Sequence, residues 1–328
     1  MNHKDTKITK NTKITKLCGL GVLCVFVVAL PFVVKSPYSM HLLVMAGIYV
    51  IATLGLYFVV GLCGQFSLAQ GAFFALGAYG LALLQQKLHF PSVFALLGGA
   101  LLAALFGLVV GLPTLRLRGH YLAMATIGFG EIVYLTLKNW IWLTNGPDGL
   151  NIRRPFWPGS VMAYDRIYYF VVVAVAVAAA FAAIRVRRSW WGRALLAVRD
   201  NELAASSLGV ATTRVKVYAF MASAFLGGLA GAMYAQAETY ISPDFFNFDL
   251  SIMLVVMLLV GGRNSVGGAV AGAILLGFLP EWLRFLKDYY MLIFGALVTM
   301  LMIVMPNGLA GLWRKFTTKS QRAQSSPS

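Results

Sequence analysis

Acidic side chains are scarce in this chain, eleven against 27 lysines and arginines, and one of them stands where an acid is costly. Glu131, in IGFGEIVYL, lies near the middle of a long apolar stretch. A charge at such a depth in a bilayer costs about 2.5–3.5 kcal/mol on the insertion scale. Neighbours such as Leu122, Ile127, Phe129, Ile132, Val133, Leu135 and Leu137 return about 0.3–0.6 kcal/mol each, so the stretch still inserts. Two readings stand. Glu131 lines a path or meets a partner chain, or it makes a structural hydrogen bond, the acid protonated. Gln65, Ser67 and Gln70 are the other polar groups beside a Gly-rich apolar stretch. Neutral hydrogen-bonding groups there suit passage of a zwitterion, which no permanent charge would trap; bonding between helices suits them equally.

Reactive constellations are missing. No G-x-x-x-x-G-K-[ST] phosphate loop occurs, so ATP is not expected to bind here by that mechanism. Gly128-Phe129-Gly130 lacks the third glycine of a dinucleotide fingerprint. No nucleophile–base–acid set is visible, so no catalytic residues and no enzyme activity are expected. Cys18, Cys24 and Cys63 show neither metal-ligand spacing nor a disulfide framework. No metal site and no cofactor are expected on this chain.

The most polar stretch is RVRRSWWGRALLAVRDNELAASSLGVATTRVK, Arg185 to Lys216, with seven basic residues (Arg185, Arg187, Arg188, Arg193, Arg199, Arg214, Lys216) against Asp200 and Glu202. Flanked by apolar runs, a segment this basic belongs on the cytoplasmic side of a membrane. The spacing predicts two short helices: Arg193 to Arg199, a break at Asp200-Asn201, then Glu202 to Leu208, with Gly209 at the left-handed position that ends many helices. Ala194, Ala197, Val198, Ala205 and Leu208 recur at roughly helical spacing. Small apolar residues among fixed charges suit docking on another protein; the alternative is a solvated connector whose arginines hold topology.

These features need a membrane frame. The chain of 328 residues is 59% hydrophobic and 12% charged, with mean hydropathy +0.77. Soluble domains run near a quarter charged. Ten apolar segments are marked, near 17–34, 41–61, 67–86, 92–113, 120–143, 167–184, 217–236, 249–262, 266–283 and 289–305, as expected of an all-α polytopic membrane protein. Five lysines, Lys4 to Lys16, precede the first, which mimics a signal peptide but is long for one and lacks a cleavage pattern; it reads as a retained span. Starting inside, nineteen of the 27 basic residues fall on the inner side, and both termini are cytoplasmic. The net charge of +16 sits in loops between spans, which argues against nucleic acid.

The expected organisation is a basic tail 1–16, a membrane domain 17–305 with an inner loop 185–216 and an outer loop 144–166, and a polar tail 306–328. Segments three and nine, rich in glycine, are spans or partly re-entrant helices. They open alike, as Gly64-Gln65-Phe66-Ser67 and Gly262-Arg263-Asn264-Ser265, which hints at internal duplication. Gly107/Gly111, Gly227/Gly231 and Gly268/Gly272 are small-xxx-small pairs that let helices approach closely in lipid. Asn145-Gly146-Pro147-Asp148-Gly149 is strong turn chemistry in the outer loop.

Gly192-Arg193-Ala194, Arg199-Asp200-Asn201-Glu202 and Ala204-Ala205 followed by Gly209 closely resemble the coupling loop of ATP-binding-cassette importer permeases. With GLCGQFSLAQGAFFALGAY (61–79), LRGHYLAMATIGFGEIV (117–133), TNGPDGL (144–150) and LLVGGRNSVGGAVAGA (258–273), the chain resembles the LivM-type branched-chain amino-acid permease family from about Ile48 to Gly311. The resemblance implies a sister permease, two ATPase subunits that carry the ATP, and a periplasmic protein that binds leucine, isoleucine or valine, all at the bacterial inner membrane. It implies that Gly192, Arg193, Ala194, Arg199, Asp200, Glu202, Ala204, Ala205 and Gly209 serve ATPase coupling. By the same resemblance Gly146, Asp148 and Gly149 face the binding protein, while Gln65, Ser67, Gln70 and Glu131 stay candidates for the path. Leu203, between Glu202 and the alanines, departs from the family's E-A-A-x-x-x-G pattern. Urea and short-amide permeases share the family, and an ion-coupled carrier is the rival from another class.

Overall fold

Three apolar helices with glycine at their crossings form the centre of the structure. The computed structural model describes residues 36–114, 119–152 and 161–282, with a few more between 292 and 311. Expected segments 17–34 and most of 289–305 lie outside the described residues, as do the tail 1–16, most of the tail 306–328 and Trp157-Pro158. Helix α1, Pro37–Leu56, starts on a proline at its first position and continues as a π-helical stretch, Tyr57–Leu62. Then follow α2 (Gln70–Lys87), α3 (Ser92–Thr114), α4 (His120–Asn139), the single turn α5 (Ile141–Thr144) and α6 (Val161–Arg188). Two short helices, α7 (Trp190–Asp200) and α8 (Glu202–Ser207), lead to α9 (Thr212–Glu238), α10 (Phe248–Gly261) and α11 (Val266–Trp282).

Helices α2, α3 and α9 pack together, and α1 closes the bundle; α6 and α11 lie on α1, and α10 pairs with α11. A β-carbon on Gly231 of α9 would collide with the Phe74 carbonyl of α2, and one on Gly77 with the Gly228 carbonyl. Without side chains between them the two backbones touch, the packing that replaces the hydrophobic effect in lipid. Gly261 and Gly272 bring α10 and α11 together in the same way. Outer faces carry the opposite signature. Val93, Leu101 and Leu105 on α3 and Val177 and Phe181 on α6 are exposed, which suits helices whose surroundings are acyl chains.

Among the described residues five helical stretches are long and apolar enough to cross a membrane: Pro37–Leu62, Ser92–Leu112, Tyr164–Arg188, Thr212–Glu238 and Pro243–Gly261. The chain is a multi-pass membrane protein. Expected segments three and five are helical but carry more polar residues, Gln70, Gln85, Gln86 and Lys87 in α2 and Glu131 and Lys138 in α4, and segment nine is shorter. Segment three is also not helical from Ser67. The chain between Gly64 and Ala69 is non-helical, and α2 begins only at Gln70, where the Gln70 amide reaches the Ala52 carbonyl well inside α1.

Loop contacts sort the helix ends onto two faces. On one, Gln86 donates to the Asn151 carbonyl at 2.7 Å, and Leu150–Asn151 pairs antiparallel with Tyr240–Ile241. On the other, Arg199, Glu202 and Lys216 meet the ends of α1, α9 and α10.

Candidate functional site

The α7–α8 hairpin is built by two caps. The Ser189 hydroxyl accepts from the Gly192 amide at 3.4 Å, and the Asn201 side chain accepts from the Ala204 amide at 3.1 Å. An N-cap of this kind satisfies one of the donors a helix start leaves open. Asn201 is extended, φ −159°, so the break falls on Asn201 alone, with Asp200 the last residue of α7. Gly209 closes the hairpin at φ +80°, as the sequence predicts. The basic flanks belong elsewhere: Arg185, Arg187 and Arg188 are the last turn of α6, and Lys216 lies early in α9.

Burial divides the hairpin in a way periodicity does not. Ala194, Val198 and Ala205 turn inward against the bundle together with Leu195, so the stripe read as a docking face is mostly covered by this chain's own helices. Outward stand Arg193, Ala197, Asp200 and Ala204, with Leu203 64% and Leu208 85% exposed. Gly192 permits close contact, since a β-carbon there would strike the Val186 carbonyl. The two most important charges also turn inward. Lys216 Nζ donates to Glu202 Oε1 at 2.6 Å, its side chain 3% exposed. Arg199 Nη1 donates to the Gly61 carbonyl at 2.8 Å and to Asn264 Oδ1 at 3.0 Å. A cation on the closing carbonyls of α1 meets the negative end of that helix.

Behind the hairpin a cavity of about 520 Å³ is lined by Cys63, Gln65, Phe66, His120, Arg199, Glu202 and Lys216, among others. Cys63 is buried, and that burial pushes its thiol up to about 12, with Lys216 lowering it in part.

Of the polar residues proposed for a path, Gln65 is half-buried at this cavity, while Ser67 and Gln70 are buried. Gln70 bridges three helices: its amide donates to the Ala52 carbonyl at 2.9 Å, and it accepts from the Ser223 hydroxyl at 2.8 Å. Three hydroxyls answer the amides around the start of α2, Thr126 for Leu68, Ser67 for Ala69 and Ser251 for Gly71. Irregular backbone at that depth survives only when buried and bonded in this way. Glu131 is different. It is exposed on α4, on one stripe with Tyr121, Met124, Gly128 and Leu135 that faces away from this chain's core.

At the opposite end the expected loop is part of a composite surface. Gly146 and Gly149 both take positive φ, and a β-carbon on Gly149 would strike the Ile241 carbonyl. Asp148 is exposed, and its carbonyl accepts from the Tyr240 hydroxyl. A second segment, Tyr240 to Phe246, completes the surface. Asp244 accepts there from the Tyr134 hydroxyl at 2.8 Å and from Lys138 at 3.2 Å. Lys87 lies 4.6 Å over the Trp142 ring.

The family model described as branched-chain amino acid transport system / permease component matches residues 38–306. The chain belongs to that family.

Among the permease relatives, the LivM protein of a high-affinity branched-chain amino acid transport system in Salmonella typhimurium is 37% identical over 302 residues, 84% of this chain and 71% of the relative. The LivM protein of Escherichia coli is 36% identical over 291 residues, covering 81% and 68%. LivH of Salmonella typhimurium, a second permease protein of such a system, is 23% identical over 287 residues, covering 80% and 91%. Both kinds of permease align with most of this chain. No solved structure matches the chain.

For a permease component, the residues that sequence reasoning missed are Lys216 as partner of Glu202, Asn264 as partner of Arg199, the outward Leu203, and the Tyr240–Phe246 segment; of the expected docking stripe, Ala197 and Leu208 do stand outward. Asn264 carried a signal, the repeated G-x-x-S opening. For Tyr240 to Phe246 the only signal was a polar break between two apolar runs.

Proposed function

We propose that this chain is the membrane-spanning permease subunit of an ATP-driven importer for branched-chain amino acids in the bacterial inner membrane. It works with a sister permease, two ATPase subunits that bind and hydrolyse ATP, and a periplasmic binding protein. The observation that carries the reading is the capped α7–α8 hairpin, which presents Leu203, Ala204 and Leu208 to solvent at the basic end of the bundle. A small apolar knob on rigid helical supports fits a groove on a partner protein better than it fits water.

In this reading ATP binding brings the two ATPases together, and the docked hairpins carry that motion into the spans. Solute delivered by the binding protein enters at the end formed by Gly146, Asp148, Gly149 and Tyr240 to Phe246. The path runs between the two permeases, past Glu131 on the exposed stripe of α4 and toward the inner cavity with Gln65; Ser67 and Gln70 support it from within. Gly192, Arg193, Ala194, Arg199, Asp200, Glu202, Ala204, Ala205 and Gly209 form the coupling element. ATP is the only cofactor, and it stays on the partners. The match to LivM proteins supports leucine, isoleucine and valine as the solutes.

Reconstitution tests this. Proteoliposomes holding both permeases and the ATPases should take up leucine only with ATP enclosed and binding protein outside. Uptake that follows an imposed proton or sodium gradient without ATP would select an ion-coupled carrier instead. Uptake of urea or short amides in preference to leucine would move the substrate within the family.

A further inference from the structure

We infer that Glu202, Lys216, Arg199 and Asn264 are internal braces that transmit the hairpin's motion to the spans, and that they do not contact the ATPase. The inference rests on the docking reading above and divides the hairpin into two faces with separate tasks.

The first brace joins α8 to α9. Lys216 is buried, and its ammonium sits 2.6 Å from a carboxylate oxygen of Glu202, the first residue of α8. Glu202 is itself about a quarter exposed, at 26%. Losing either partner would strand a charge or a polar group in a poorly hydrated place, and such removals are far more costly than the pair is worth. The α8 helix and the start of α9 are therefore held as one body.

A second brace joins α7 to two further elements at once. Arg199 in the last turn of α7 donates to the Gly61 carbonyl, in the π-helical stretch that continues α1, and to Asn264 in the turn between α10 and α11. Its aliphatic stem lies so close over Gly64 that a β-carbon there would collide with it. The side chain is thus clamped along its length as well as at its head.

Between the braces lies the cavity of about 520 Å³, lined by Val198, Arg199, Glu202 and Lys216 from the hairpin side and by Gln65 and His120 from the span side. Across this space the two braces are solid polar connections, so a push on the hairpin reaches α1, α9 and the α10–α11 turn through them. The face left for a partner is the other one, with Leu203 and Leu208 exposed.

The test uses the complete importer, with both permeases, the ATPases and the binding protein reconstituted together. E202Q, K216M, N264A and the exchange E202K/K216E are each scored for ATPase retained on purification, for ATP hydrolysis and for leucine uptake per ATP hydrolysed. The braces predict that E202Q, K216M and N264A keep the ATPase bound, while uptake per ATP falls about tenfold for the two charge variants and less for N264A. The exchange should restore most of the loss, because it rebuilds the pair with opposite polarity. Loss of bound ATPase in E202Q would make Glu202 a partner contact and overturn the inference while leaving docking intact. Unchanged uptake per ATP in all three would overturn it as well. If K216M fails to give monodisperse protein, E202Q and the exposed N264A decide the question alone. Docking is tested separately by L203D/L208D: ATPase retained on that variant would defeat the docking reading itself.

Discussion

Gln70 is hydrogen-bonded to α1 and α9 from within α2, so Gln70→Leu leaves the Ala52 carbonyl and the Ser223 hydroxyl short of a partner. Interhelical bonds in membrane proteins are worth about 0.6 kcal/mol each, rising to about 1.7. The solubilised variant should melt earlier than the parent, and an unmoved melting curve would refute this role. Cys63 gives a second residue-level expectation. With its thiol raised to about 12 by burial, its thiolate at neutral pH is scarcer than that of an ordinary cysteine by roughly three orders of magnitude. In a background lacking Cys18 and Cys24, maleimide labelling of the folded chain should be very slow at pH 7 and rise steadily with pH; rapid labelling at pH 7 would show the thiol open to solvent. The polar residues were only half legible in sequence. Composition left Gln70 and Glu131 with the same two readings, a path or a bond. Three-dimensional placement separates them, since Gln70 is enclosed among helices and Glu131 stands on an outer stripe.

Helical elements in this chain are governed by where a side chain is missing. Gly209 holds φ +80° with nothing within 4 Å of an added β-carbon, so only backbone conformation resists substitution there. Left-handed backbone costs an ordinary L-residue about 1–2 kcal/mol, while asparagine tolerates it. Gly209→Asn should keep uptake near the parent level and Gly209→Val should lose several-fold, by transport assay; equal values would mean the turn is not held. At Gly231 the reason is space. Gly231→Leu would drive α9 off the Phe74 backbone and should abolish monodisperse protein in size exclusion. Gly128→Leu, open on α4, should leave the isolated chain's melting unchanged. The hairpin itself was legible, because a break at Asp200-Asn201 and a glycine at 209 are local signals. Its inner and outer faces were not, because spacing reports that Ala194, Val198 and Ala205 share a face but not what covers it.

Among the described residues, the helix ends fall on two faces, which the proposed importer places in opposite compartments. Asp148→Cys and Leu208→Cys, each in a cysteine-free background, should react with a membrane-impermeant reagent from opposite sides of a sealed vesicle, Leu208→Cys from the cytoplasmic side. Labelling of both from one side would collapse the topology. The surface around Asp148 also shows how distant segments combine. Turn chemistry marks Asn145 to Gly149, yet the surface is finished by Tyr240 and Asp244, about a hundred positions later, held by the Leu150↔Ile241 pairing.

The sequence by itself determined the membrane class, the helical segments that fall among the described residues, the basic hairpin and the family, because hydropathy, charge and short motifs are local quantities summed along the chain. Tertiary structure alone decided that α2 starts late on a bonded, non-helical lead and that Glu202 and Arg199 point into the protein. It also left Leu203 bare. Those outcomes depend on which distant atoms, Lys216, Gly61 and Asn264 among them, arrive beside each side chain, and no local pattern encodes that arrival.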